Sequence, residues 1–236
     1  MREDYTHICI VRDCSGSMCG IAGDMDGGLN KFLKTQREIE GNVTVSLYDF
    51  SSSGWWAIGQ NKNTSSVRRI EHFTVLTDDF SIQNLDAEGG TPLLDAEGIA
   101  ITETGKELAK MNECDRPSRV IIVIITDGME NTSEEYDSIQ ISSMIKTQID
   151  KFSWQFTFLG ANQDAHAVGR SMGISSGSSL NFVATPQGVD NAFESLTSGT
   201  LRARSMCSSE YQASVKSGQF YNQHEQEQGD KDAKGR

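Results

Sequence analysis

The sequence predicts one doubly wound α/β domain, with a mostly parallel six-stranded sheet, one antiparallel edge strand and helices on both faces. Three observations carry this. Short apolar runs alternate with longer amphipathic stretches along the 236 residues, the pattern of strands joined by crossover helices. The run Val120-Ile121-Ile122-Val123-Ile124-Ile125 has no polar alternation, as a central strand covered on both faces requires. Only Phe50-Ser51-Ser52-Ser53-Gly54 separates residues 43–49 from 55–59. That is too short for a crossover, so these two segments are expected to pair antiparallel at one edge.

In order along the chain, strands are expected near 7–12, 43–49, 55–59, 119–126, 154–160 and 179–184, and helices near 24–40, 92–111, 133–151, 163–172 and 187–203. In the first helix Leu29, Phe32, Leu33 and Ile39 form a sheet-facing stripe, and Gly27-Gly28 permits close approach of the backbone to the sheet. Pro92 after Thr91 suits a helix start, with the threonine as a candidate cap. Residues 60–90 keep neither a helical nor a strand period and receive no assignment. Trp55-Trp56 would alternate faces in a strand, leaving one as a candidate contact residue. The domain is expected to span residues 1–204. From 205 to 236 the chain is rich in Ser, Gln, Glu, Asp, Lys and Gly and is expected to be a flexible polar tail. Tyr211, Val215, Phe220 and Tyr221 offer the one alternative, docking of its first part.

With 33 acidic against 21 basic residues and a net charge of -12, the chain is a poor match for the phosphate backbone of nucleic acid and favours cationic partners. The opening Met1-Arg2-Glu3-Asp4-Tyr5 lacks a signal peptide's apolar run, and no stretch approaches the ~18 apolar residues of a membrane span. A cytoplasmic protein without membrane contact, a monomer on its own, is expected. The five cysteines lack paired spacing, so reduced, mostly buried thiols are expected rather than disulfides or a zinc site.

The chemistry gathers in three loops. Asp13-Cys14-Ser15-Gly16-Ser17 follows the first strand and sets three oxygen-bearing side chains at alternate positions. Hard divalent cations take oxygen ligands, about six for magnesium, so the remainder must come from other loops at the carboxyl ends of the strands. Thr126-Asp127-Gly128 leaves the buried strand there, and Gly89-Gly90-Thr91-Pro92 precedes a helix. Two neighbouring carboxylates repel, and a divalent ion removes that cost.

In this order and context, Asp13-x-Ser15-x-Ser17, Thr91 in Gly-Gly-Thr-Pro and Asp127 in Ile-Thr-Asp-Gly resemble the metal-ion-dependent adhesion site (MIDAS) of the von Willebrand factor A (vWA) family. The match covers residues 5–203. Phe158-Leu159-Gly160-Ala161-Asn162-Gln163-Asp164 also looks like a segment of compact, stand-alone bacterial and phage members. The resemblance implies one Mg²⁺ (or Mn²⁺) held by Asp13, Ser15, Ser17, Thr91 and Asp127, directly or through water. It also implies that a partner protein's Asp or Glu completes the shell.

Other readings of these residues stand beside that one. Asp13, Ser15 and Ser17 could simply cap a helix. Asp24 and Asp26 could hold a second ion or complement a helix dipole. Glu130 could be an outer-shell acceptor, a catalytic base or a solvated carboxylate. His7, His72, His166 and His224 lack ligand spacing. The expected function is a metal-dependent protein-interaction module without catalysis. The alternatives are a regulatory or scaffold subunit of a larger assembly, and a metal-assisted phosphohydrolase, against which the motif loops offer no His or Lys as a base.

Overall fold

A computed structural model of the chain describes residues 1–52, 66–82, 86–161 and 164–234. The strands are β1 (Arg2–Asp13), β2 (Asn42–Phe50), β3 (Val67–Val75), β4 (Pro117–Thr126), β5 (Gln155–Ala161) and β6 (Ser179–Phe182). The helices are α1 (Ala22–Glu38), α2 (Leu93–Lys110), α3 (Ser138–Phe152), α4 (Ala165–Ser171), α5 (Pro186–Ser205), α6 (Ser208–Ser217) and α7 (Gln223–Lys234). The strands form one sheet in the order β3-β2-β1-β4-β5-β6. All neighbours are parallel except β2 and β3, which gives the six-stranded, one-edge-antiparallel α/β architecture that the sequence predicts.

The chain winds from β1 outward to β2 and β3, then returns to place β4 on the other side of β1. The strand order therefore reverses between β1 and β4. In open α/β sheets the crevice at such a reversal, beyond the carboxyl ends of the strands, is where ligands bind. Asp13 ends β1, and Asp127 follows β4 directly.

Both faces of the sheet are covered. On one, Ile8, Ile10, Val45, Leu47, Ile121, Val123 and Ile125 pack with Met25, Leu29, Phe32 and Leu33 of α1 and Val189, Phe193 and Leu196 of α5. On the other, Val11, Tyr48, Ile122, Ile124, Phe156 and Phe158 pack with Leu93, Ala96, Ala100 and Ile101 of α2 and Ile141 and Ile145 of α3. β4 contributes to both layers, which is why its sequence shows no alternation. Of the adjacent pair Gly27-Gly28 in α1, Gly27 has open space beside it, whereas a Cβ on Gly28 would collide with the Phe193 ring. Gly28 thus serves the contact of α1 with α5 rather than with the sheet.

Three expectations need correction. Residues 55–59, Trp55 and Trp56 among them, lie outside the described residues, and the antiparallel edge strand in the structure is β3, from the unassigned stretch. β3 is half-exposed, mixes Arg68, Arg69, Glu71 and His72 with its apolar positions, and carries register shifts against β2. Phe73 within it has φ 50°. These irregularities erase the two-residue period. Second, α3 starts at Ser138 rather than 133, where Asp137 accepts from the Gln140 backbone N–H at 2.8 Å in a reciprocal capping box. Third, residues 208–217 and 223–234 are helices, not a flexible tail. Tyr211, Val215, Phe220 and Tyr221 are all buried and complete the core layer under α1 and α5. The Tyr211 hydroxyl donates to the Val120 carbonyl at 3.0 Å, Thr157 donates to the Tyr221 oxygen at 2.7 Å, and Arg202 grips Glu225 at 2.8 and 2.7 Å. Few anchors suffice because three of the four are aromatic and the two tyrosines also have their hydroxyls bonded.

Of the cysteines, Cys9 and Cys14 are buried while Cys19, Cys114 and Cys207 are exposed, and all are unpaired. The thiols are therefore not mostly buried. Among the described residues, no helix is long and apolar enough to cross a membrane.

Candidate metal centre

The three motif loops meet at the sheet's carboxyl edge. Backbone bonds lock the first to the second: Gly16 N–H donates to the Gly89 carbonyl at 3.0 Å and Glu88 N–H to the Cys14 carbonyl at 2.9 Å. Asn131 locks the second to the third. Its side-chain oxygen accepts from Thr91 N–H at 2.8 Å, and its own N–H donates to the Thr91 carbonyl at 3.2 Å.

The side chains converge accordingly. Ser15 and Ser17 hydroxyl oxygens lie 3.1 Å apart, and Ser17 donates to Asp127 Oδ1 at 2.5 Å. Asp13 accepts from Ser15 N–H at 2.7 Å and from the Thr126 hydroxyl at 2.5 Å. Thr91 is brought in by Gly128, since a Cβ there would lie 2.9 Å from Thr91 Oγ1 and 3.6 Å from Ser17 Oγ. Gly128 leaves the space that this approach needs. Asp13, Ser15, Thr91 and Asp127 are buried while Ser17 is exposed, so the cluster opens to solvent on the Ser17 side. Cys14, at the alternate position, turns into the core, where burial pushes its thiol well up.

Helix capping does not account for these residues. Ser15 precedes a 3-10 turn over Gly16–Ile21 but makes no side-chain cap bond. Thr91 does not cap α2 either, since Pro92 holds the cap position. The N–H groups of that first turn are bonded by the loop after β4 instead: Leu94 N–H by Glu130 Oε2 at 2.9 Å and Asp95 N–H by Ser133 Oγ at 3.1 Å. Glu130 also accepts from the N–H groups of Thr132 and Ser133 at 2.9 and 2.8 Å. It is therefore a clamp between loop and helix, not a solvated carboxylate. Asp95 accepts from Glu134, Glu135 and Tyr136 N–H groups, each at 2.9 Å. With α2 capped from outside, Thr91 is spared that task and its hydroxyl makes no hydrogen bond among the described residues.

Below the loops, the buried Arg12 guanidinium joins Asp49 through two bonds of 2.8 Å and Asp26 at 2.6 Å, tying β1, β2 and α1 together. Asp26 is thereby an ion-pair partner of Arg12, and the reading of Asp24 and Asp26 as a second ion site finds no support there. Thr126, Asn131 and Asp95 were missed by sequence reasoning. Their partners are 113, 40 and 39 to 41 residues away, and nothing local marks them.

Two buried carboxylates dominate the electrostatics of the cluster. None of the ion pairs among the described residues involves Asp13 or Asp127, although both are buried. Burial pushes Asp13 up to about 6 against the hydrogen bonds of Thr126 and Ser15, with Asp127 pushing the same way. Burial also raises Asp127, against the Ser17 bond. Two desolvated carboxylates with three hydroxyls form a hard, all-oxygen set, suited to a small divalent cation. Among the described residues, no group of three or more His, Cys, Asp or Glu assembles that could hold a metal.

No family model matches the chain, and no curated protein matches it in sequence. Solved structures share its fold. Proximal thread matrix protein 1 from the mussel byssus aligns with TM-score 0.53 at 12% identity over 82% of this chain and 45% of that one. The same protein has been solved with a zinc-occupied MIDAS motif. The pilus adhesin SpaC from Lactobacillus rhamnosus GG, in its open conformation, aligns with TM-score 0.54 at 14% identity, over 82% of this chain and 29% of that one. The chain thus has a vWA-like fold and spans less than half the length of these neighbours.

Proposed function

We propose that the chain is a metal-dependent protein-interaction module that holds one Mg²⁺ or Mn²⁺ through Asp13, Ser15, Ser17, Thr91 and Asp127. The single observation that carries this reading is the convergence of those oxygens around two buried carboxylates that have no cationic partner among the described residues. A divalent cation supported by five oxygen ligands, only two of them charged, keeps affinity for a further anion, which a partner's Asp or Glu would supply. The zinc-occupied motif of the mussel protein supports a divalent cation. The choice of Mg²⁺ or Mn²⁺ rests on the donor set.

The chain's own residues prepare this docking point. Thr126 orients Asp13, Asn131 fixes the Thr91 loop, and Glu130 caps α2 so that the Thr91 hydroxyl stays free. The exposed side of Ser17 leaves room for the partner. We read no catalysis into the site, because residues 13–17, 88–92 and 126–132 contain no His, Lys or Arg to act as a base. Cytoplasmic placement and a monomeric state belong to the same proposal. The former rests on five unpaired cysteines, three of them exposed, which an oxidising compartment would tend to pair.

The test is capture of partners from native extract on immobilised chain, with Mg²⁺ and with a chelator, for the wild type and Thr91→Ala. Capture should depend on the metal and fall sharply in Thr91→Ala, while its melting temperature stays near that of the wild type. Partner retention unaffected by both chelator and Thr91→Ala overturns the proposal.

A further inference from the structure

At the opposite edge of the sheet, where β4 begins, the ends of α2 and α3 leave a cavity of ≈ 300 Å³. Leu108, Val120 and Trp154 line it, and all three are buried side chains. β4 runs ten residues from Pro117 to Thr126, which sets this cavity ~30 Å from the metal loops. Its volume falls at the lower end of ordinary small-ligand sites.

Two cations flank the apolar wall. Arg116 uses its Nε to hold the Met111 carbonyl at 3.2 Å, and neither it nor Lys151 takes part in an ion pair among the described residues. The neighbouring carboxylates are turned elsewhere: Asp115 accepts from Asn112 at 3.1 Å, and Asp150 faces Lys146 at 3.6 Å. The amide of Gln148 completes the polar rim. In a chain with a net charge of -12, two cations without a carboxylate partner among the described residues, beside a buried apolar wall, are conspicuous. At the helix ends, Ser153 and Trp154 N–H groups donate to the Ile149 and Gln148 carbonyls of α3, and Met111 N–H donates to the Leu108 carbonyl of α2.

We propose that this cavity binds a small amphipathic anion, an alkyl or aryl carboxylate. Its apolar body would lie against Leu108, Val120 and Trp154, and its head would lie between Arg116 and Lys151. An apolar wall holds water poorly, and burying the ligand body there is favourable at ~25 cal/mol per Å². A neutral apolar ligand would leave both cations unused, and a cationic one would be repelled by them. The concave shape fits a small molecule better than a flat protein face, which needs ~800 Å² per partner for stable association.

The test is calorimetric titration of the full chain with octanoate and, in parallel, with octyltrimethylammonium. Octanoate should bind saturably at one per chain and the cation should not. Gly105 on α2 provides a filling variant, because a Cβ there meets only Trp154, at 4.0 Å. Gly105→Phe should abolish octanoate binding. Arg116→Gln with Lys151→Gln should weaken it about tenfold or more, the loss expected for charge-assisted hydrogen bonds, and decides the matter if Gly105→Phe does not fold. Thr91→Ala should leave octanoate affinity unchanged, so failure here is separable from failure at the metal centre. Absent or non-saturable octanoate heats overturn the proposal, as does equal binding of the cation. So does unchanged binding in a folded Gly105→Phe, or light scattering that reveals a dimer whose interface fills the cavity.

Discussion

The three motif loops and the segment after residue 205 are both poor in aliphatic side chains, yet they are ordered in opposite ways. In the loops, order comes from many short bonds between small polar side chains and backbone: Asp13 with Ser15 and Thr126, Asn131 with Thr91, Glu130 with α2. After residue 205, order comes from four large anchors, Tyr211, Val215, Phe220 and Tyr221, spread over eleven positions and inserted into a core built by distant elements. Mean composition hides this second mode. Tyr211 and Val215 are four apart, so they share one face of α6, and the polar remainder of the segment is simply its solvated side.

The comparison can be broken first by truncation. Removing residues 206–236 exposes the floor on which those four side chains rest, and we expect a stability loss of ~5 kcal/mol or more, given typical costs of deleting buried aromatics. Chemical denaturation that gives equal midpoints for the full and shortened chains would remove the second half of the contrast.

A smaller and opposite effect is expected at the loops. Burial raises Asp13 to about 6 from the ordinary 3.8. Between roughly those values the folded, metal-free chain keeps a proton that the unfolded chain has released. Its stability therefore falls as pH rises through the window. Asp13→Asn should flatten that slope and stabilise the metal-free fold near pH 7 by up to ~3 kcal/mol, with loss of metal binding. Denaturation curves at pH 4 and pH 7 check this, and a destabilised Asp13→Asn with its slope intact would count against it.

Gly128→Ala sharpens the contrast by geometry. Its Cβ would lie 2.9 Å from Thr91 Oγ1, so the hydroxyl must move at a cost of ~1–2 kcal/mol. Divalent affinity should drop about tenfold or more on the same scale. Wild-type affinity in this variant would show that Thr91 is not held where the site needs it. The smallest effect belongs to Tyr211→Phe, which loses only the bond to the Val120 carbonyl and should cost ~1 kcal/mol by denaturation. A loss as large as that of truncation would mean that a hydrogen bond, rather than packing, holds α6.

The sequence made most of the sheet and the five candidate oxygen donors legible because each is written in adjacent positions: an unbroken apolar run for β4, alternate oxygens after β1, a glycine beside Asp127. What it concealed depends on residues far apart. β3 is a half-exposed edge with irregular register, so its apolar positions keep no period. Thr126 at the end of β4, Asp95 in the first turn of α2 and Asn131 and Glu130 in the loop after β4 do not show their bonding roles until their partners arrive across the fold. The ion pairs of Arg12 with Asp49 and Asp26 are hidden for the same reason. The late start of α3 follows from these long-range bonds, which hold residues 130–136 away from helix.

The most direct measurement is calorimetric titration of the metal-free chain with Mg²⁺ and with Mn²⁺, beside Asp13→Asn. Five converging oxygens predict saturable binding of one ion per chain in the wild type and its loss in the variant. No binding to the folded wild type, or equal affinity in Asp13→Asn, would contradict the assignment of this cluster as a metal centre.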